Sequence, residues 1–149
     1  MSSSWIAPEL RLLVQQRASG LCEYCLLHER SSDFSFHVDH VIAEKHDGPT
    51  EDHNLCHACP ECNRAKGSDI ATVLNGRLTR LFNPRIDEWS AHFSLSGPRI
   101  LAKSRIASGT IRLLDLNSPL RIATRASLAL EGLYPSPEAL IHLSGKGPT

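Results

Sequence analysis

The stretch 36-FHVDHVIAEKHDGPTEDHNLCHACPECNRAK-66 decides how this chain is read. Phe36, Val38 and Ile42 keep a period of two across FHVDHVI, which predicts a strand with His40 in the same parity near its end. Asp47-Gly48-Pro49 marks a turn, and Thr50-Glu51-Asp52 is set to open a short helix. The stretch closes on Cys59-x-x-Cys62, which runs into Asn63, Arg64 and Lys66 and predicts a knuckle leading into a helix that stops at Gly67. A second pair, Cys22-Glu23-Tyr24-Cys25, lies upstream.

Two Cys-x-x-Cys pairs let each tight turn offer two thiolates to one ion while the long loop between them carries function. Four thiolates in tetrahedral geometry suit structural zinc, which predicts Cys22, Cys25, Cys59 and Cys62 as its ligands. The register has a rival, because Cys56, Cys59 and Cys62 form overlapping pairs and Cys56 could replace Cys62. The pair Cys59/Cys62 is preferred because Asn63 and Lys66 follow it directly, which leaves Cys56 as a small buried apolar residue. His28, His53 and His57 are further possible substitutes. Five cysteines in a chain whose start carries no basic cluster and no apolar core of a leader favour a metal site over a disulfide framework, and the expected location is cytoplasmic.

Working outward, residues 8–18 predict a helix, with Pro8 at its first position, Glu9 near its positive end, Leu10, Leu13, Val14 and Arg17 at helical spacing, and Gly20 as its cap. Beyond Ile70 the sequence predicts a strand over 78–82 and a short amphipathic helix over 84–93 carrying Trp89. A hairpin pairing Phe93–Leu95 with Ile100–Ala102 follows. Two helices complete the chain, one through Ile106 and Leu114, the other starting at Ser118-Pro119 with Leu120, Ala123 and Leu130 on one face. Pro135 and Pro137 break the pattern, so residues 135–149 are expected as a flexible tail. The expected organisation is a metal-stapled core with its N-terminal helix over 1–70 and an extension packed on it over 71–134. The class is α+β.

Aromatic residues make up 5% of a chain of 149 residues, so a staple matters to a small core. No apolar run is long enough to span a bilayer. Net charge is zero, but its distribution is uneven. Residues 1–62 carry four Lys/Arg against ten acids, and residues 63–112 carry nine against three. A basic segment behind an acidic, metal-binding one fits a cation site beside a surface that meets phosphates.

Taken together, Cys22-x-x-Cys25, Val38-Asp39-His40-Val41, Asn54-Leu55 and Cys59-x-x-Cys62-Asn63-x-x-Lys66 resemble the zinc-stapled form of the HNH endonuclease family. The resemblance covers roughly residues 20–68, and the segment after Leu81 is also similar to an extension found in some bacterial members. It implies a ββα-metal core, two strands and a helix gripping one divalent ion. It further implies Asp39 as a metal-ligating acid, His40 as general base, Asn54 as the residue that pins the loop and orients the histidine, and Asn63 as second metal ligand. Lys66 and Arg64 would contact phosphate. Some members add a metal-binding histidine where this chain has Gly67, so the implied site is sparse in side-chain ligands and favours Mg²⁺ or Mn²⁺. The usual Gly-Gly turn is Asp47-Gly48 here.

The chemistry of those residue types agrees. Phosphodiester hydrolysis needs an activated water and charge neutralisation at the phosphoryl oxygens, and a neutral imidazole can take the water's proton near pH 7. Neighbouring strand residues face opposite ways, so Asp39 and His40 can share one site only where the strand ends. The activity that the resemblance implies is metal-dependent hydrolysis of DNA, most simply double-stranded, leaving 5′-phosphate and 3′-hydroxyl ends as the family does. The competing readings are a zinc-ribbon nucleic-acid-binding module without catalysis and a protein-interaction adaptor with structural zinc.

Overall fold

The computed structural model describes residues 5–145. Its first helix, α1 (Pro8–Arg17), has Pro at its start and Glu9 in its first turn. Of the expected stripe, Val14 is fully buried while Leu13 is 43% exposed, so α1 docks through Val14, Leu10 and the preceding Ile6 against Leu55 and Val38. The chain leaves α1 through Ser19 and Gly20, both left-handed, and enters the first cysteine knuckle.

The segment quoted at the outset folds as a ββα unit. Strand β1 (His37–His40) pairs antiparallel with β2 (Leu55–Ala58), with Asp39 opposite Cys56 and His40 opposite Leu55. Helix α2 (Pro60–Lys66) follows at once. Cys59 caps it, its sulfur accepting from Cys62 N, and Gly67 at φ 53° closes it. The loop between β1 and β2 turns at Asp47, which is left-handed at φ 64°, a conformation Asp tolerates. Gly48 has no substitute, because a Cβ there would lie 1.7 Å from the Ile42 carbonyl oxygen.

Residues 71–145 supply two more hairpins and four helices. Strands β3 (Ala71–Leu74) and β4 (Arg77–Arg80) pair around Asn75-Gly76, with φ of 51° and 75°. That is the positive-φ pair a two-residue hairpin turn demands. The helix expected over 84–93 shrinks to α3 (Trp89–His92). Residues 83–87 form a turn instead, in which Asp87 accepts from Asn83 N and Asn83 Oδ1 accepts from Arg85 N. The second expected hairpin is present as β5 (Phe93–Ser96) and β6 (Arg99–Ala102). Helices α4 (Arg105–Leu113) and α5 (Pro119–Leu130) start on Ser104 and Ser118 caps.

Helix α5 turns the other way from expectation. Leu120 and Leu130 are 76% and 91% exposed, and the buried residue is Arg125. Its guanidinium donates to the carbonyls of Pro98 and Leu116, so backbone acceptors at the β5–β6 turn and the α4–α5 connection fix the rotation of the helix. The segment expected as a tail carries a sixth helix, α6 (Pro137–Leu143), with Ser136 as cap and Pro137 at its first position. Arg30 holds Glu138 through two hydrogen bonds, and the Tyr134 hydroxyl donates to the Cys25 carbonyl at 2.8 Å. Pro135 and Pro137 therefore begin an element here. Residues 146–149 of the expected tail lie outside the described residues.

One hydrophobic cluster joins the knuckles to the extension. Tyr24, Cys25, Cys59 and Cys62 pack with Phe82, Trp89, Phe93, Ile100 and Leu114. The Trp89 indole donates to the Tyr24 carbonyl at 2.9 Å. No helix among the described residues is long and apolar enough to cross a membrane.

Candidate active site and zinc cluster

Cys22, Cys25, Cys59 and Cys62 are buried and free of disulfides, and their sulfurs all lie within 4.8 Å of one another. Ligation at about 2.3 Å in a tetrahedron requires sulfurs roughly 3.8 Å apart. Cys25 Sγ and Cys59 Sγ stand at 3.8 Å. Four packed thiols cannot all ionise without a cation. Hydrogen bonds from Cys22, Cys59 and Cys62 pull the Cys25 thiol well down, while Cys59 and Cys62 are pushed up. A divalent ion removes that conflict, so the donor set fits structural zinc. Cys56 is not part of the cluster. It is buried beside Tyr24 and Asp39, its thiol donating to the Tyr24 hydroxyl at 3.4 Å.

A residue that the motif did not disclose completes the cluster. Arg121, from the first turn of α5, donates Nη2 to Cys62 Sγ at 2.9 Å and reaches Cys59 Sγ at 3.8 Å. Burial pulls its guanidinium down, and the thiolates of Cys62, Cys25 and Cys59 more than offset that. Four thiolates around one Zn²⁺ leave a net negative centre, and Arg121 neutralises part of it from inside the protein.

The second site lies at the end of β1. A pocket of about 560 Å³ is lined by Asp39, His40, Glu44, Asn63 and Arg64, with Arg11 of α1 on its edge. Strand β1 ends at His40, so the two faces meet in one cavity. Asp39 is nearly buried, and its Oδ2 accepts from the Tyr24 hydroxyl at 3.2 Å and pairs with Lys66 Nζ at 3.1 Å. Burial pushes the Asp39 carboxyl up, with Lys66 pulling the other way. The contacts from Tyr24, Lys66 and Cys56 all fall on Oδ2, which leaves Oδ1 for a cation. A half-buried amide oxygen from Asn63 on the same pocket wall is a suitable hard second donor.

Asn54 does not enter the pocket. It is buried and clamps the loop, its Oδ1 accepting from Ile42 N and its Nδ2 donating to the carbonyls of Ile42 and Pro49, each at 2.9 Å. The missing Gly48 side chain makes that clamp possible, since a Cβ would sit 2.9 Å from Asn54 Nδ2.

Residues 22–69 match the family model described as HNH endonuclease. The chain carries an HNH endonuclease domain. No curated protein and no solved structure matches the chain. Within the HNH domain, Asp39, His40, Asn63 and Arg64 are brought together at one pocket, with Asn54 behind it.

Lys66 is the exception among the residues expected at the surface. It is 1% exposed, and besides Asp39 it donates to the His40 carbonyl at 3.0 Å. No phosphate can reach it, because it lies beneath the site as the buried counter-charge of Asp39. The basic segment behaves similarly. Arg80 pairs with Asp87, Arg85 with Glu23, and Arg105 and Arg112 donate to hairpin carbonyls of β3. Those cations brace the extension. The exposed cations on the pocket are Arg11, Lys45 and Arg64.

Proposed function

We propose that the HNH domain is a metal-dependent endonuclease that hydrolyses phosphodiester bonds of double-stranded DNA. The observation that supports this most is that Asp39, His40 and Asn63 line one pocket while three exposed cations, Arg11, Lys45 and Arg64, surround it. A nucleic-acid-binding module needs the cations but has no use for an acid, an imidazole and an amide converging on a cavity.

Asp39 and Asn63 would hold a divalent ion, Mg²⁺ or Mn²⁺, which when bound supplies charge neutralisation at the phosphoryl oxygens and at the leaving oxygen. The residues do the rest. Arg64, Lys45 and Arg11 seat the flanking phosphates and set the register of the strand. His40 accepts a proton from a water on the side of phosphorus opposite the leaving 3′-oxygen. The new bond joins the water oxygen to phosphorus, the P–O3′ bond breaks, and 5′-phosphate and 3′-hydroxyl ends result. Tyr24 and Lys66 favour the ionised form of the Asp39 carboxylate against its burial. The five free thiols and the zinc-type cluster support a reducing, cytoplasmic setting.

Zinc-loaded protein incubated with supercoiled plasmid should nick it with Mg²⁺ or Mn²⁺ and stop when EDTA is added in amounts that leave the zinc in place. DNA binding without nicking under any divalent ion would overturn the assignment and favour a non-catalytic zinc module.

A further inference from the structure

Among the described residues, four buried side-chain nitrogens lack a hydrogen-bond partner: Arg17 Nε, His40 Nδ1, His57 Nδ1 and Arg85 Nε. Of these residues only His40 lines the pocket with Asp39 and Asn63. Its other ring nitrogen is well provided for. Nε2 lies 2.9 Å from Thr50 Oγ1 and 3.6 Å from a carboxylate oxygen of Glu44. Two oxygens converge on one nitrogen, and none approaches the other.

We propose that Thr50 and Glu44 are the positioning residues of His40: they hold its ring proton on Nε2 and so leave Nδ1 bare as the basic atom. This rests on the endonuclease reading above. The opposite tautomer would turn the Nε2 lone pair toward the Glu44 carboxylate. That arrangement is unfavourable, and moving the proton to Nε2 removes it. Thr50 then accepts the Nε2–H bond.

The proton balance of the step follows. One O–H bond of the attacking water breaks, its proton goes to Nδ1, and the oxygen forms its bond to phosphorus as the P–O3′ bond breaks. His40 is then an imidazolium whose Nε2–H faces Thr50 and Glu44, and the carboxylate opposes the new charge. The proton on Nδ1 is later lost to solvent as the 3′-oxygen gains one, which restores the starting state.

The loop geometry explains why these two residues are placed for it. Glu44 stands four residues beyond His40 in the 3-10 turn Glu44–His46. Thr50 follows Pro49, whose carbonyl is held by Asn54. Asn54 therefore reaches His40 through Pro49 and Thr50, one residue further than the motif implies.

The test uses full-length, zinc-loaded protein. A ¹⁵N–¹H correlation of the histidine rings, without added Mg²⁺, should show His40 protonated at Nε2 and bare at Nδ1. Thr50→Val keeps the shape and removes the hydroxyl. It should populate both tautomers and lower kcat about 10²-fold while KM stays within about twofold. Thr50→Ser should bring kcat back to within about threefold and restore the single tautomer. Glu44→Gln should keep the tautomer and lower kcat about 10-fold through loss of the opposing charge. A wild-type His40 carrying its proton on Nδ1 would overturn the proposal, as would Thr50→Val with unchanged tautomer and kcat. If wild-type protein cut no DNA, the endonuclease reading would fail while the ring spectrum still decided the tautomer.

Discussion

Replacing Lys66 separates a buried counter-charge from a phosphate contact. In Lys66→Met the stem's packing is retained and the ammonium is lost. Asp39 then sits at 7% exposure with hydrogen bonds from the Tyr24 hydroxyl and the Cys56 thiol only and no paired cation. Breaking a buried pair from one side costs about 3–5 kcal/mol, because the remaining charge stays uncompensated. In a chain of this size each kcal/mol moves the melting temperature by about 2–4 °C, so the drop should be about 6–20 °C. The sign of the pH dependence is fixed by Asp39. Its folded carboxyl is held above the usual range by burial, and removing Lys66 raises it further. The folded state then binds a proton that the unfolded chain does not, so the stability deficit should shrink as pH falls through the raised folded value toward the unfolded one near ~3.9. Thermal melts of zinc-loaded protein at stepped pH, from neutral downward as far as the zinc is retained, would read this. The exposed control, Arg64→Ala, should melt like wild type to within about 0.5 kcal/mol but bind DNA less tightly. Equal melting of wild type and Lys66→Met, with DNA affinity lost instead, would refute the buried role.

Purified protein should hold about one zinc per chain. Cys25→Ser or Cys59→Ser should lose it and unfold or aggregate, whereas Cys56→Ser should retain it; metal analysis that reversed Cys56 and Cys62 would show the wrong ligand set. Arg121→Met should stay folded but release zinc to a chelator faster, about 10–100-fold weaker in affinity, as expected when a partner of the ligands is removed. Asp39→Asn and Asn63→Ala should abolish cleavage with zinc content intact, and Mg²⁺-dependent nicking at the wild-type rate in both would end their assignment. Salt titrations of DNA binding should lose about 0.9 from the log–log slope for each of Arg11, Lys45 and Arg64 changed to Ala. Arg105→Ala should leave the slope alone and lower stability, because its guanidinium serves the β3 carbonyl of Leu74.

The four-cysteine cluster, β1 and α2 were legible because each is written in local spacing. Two Cys-x-x-Cys pairs bring four thiols to one place, and Asn63 follows the second pair directly. Lys66 was misread for a reason the sequence does contain. It stands four residues after the buried Cys62, on the same inward face of α2. Thr50 and Glu44 carry no such signal, since their approach to His40 depends on a loop shaped by Gly48 and Asn54. Asn75-Gly76 is a two-residue turn signal that the expectation of a lone strand over 78–82 left unused, while Arg121 and Arg125 could not be foreseen. Two arginines four apart on a helix read as a solvated face until the carbonyls and thiolates they bind are brought to them by the fold.

Activation of the nucleophile by His40 is read out by single-turnover cleavage of plasmid DNA by His40→Ala at saturating Mg²⁺. The cleavage rate should fall by about 10²–10⁴-fold, with zinc content, melting and DNA affinity close to wild type. Cleavage by His40→Ala at the wild-type rate would contradict it.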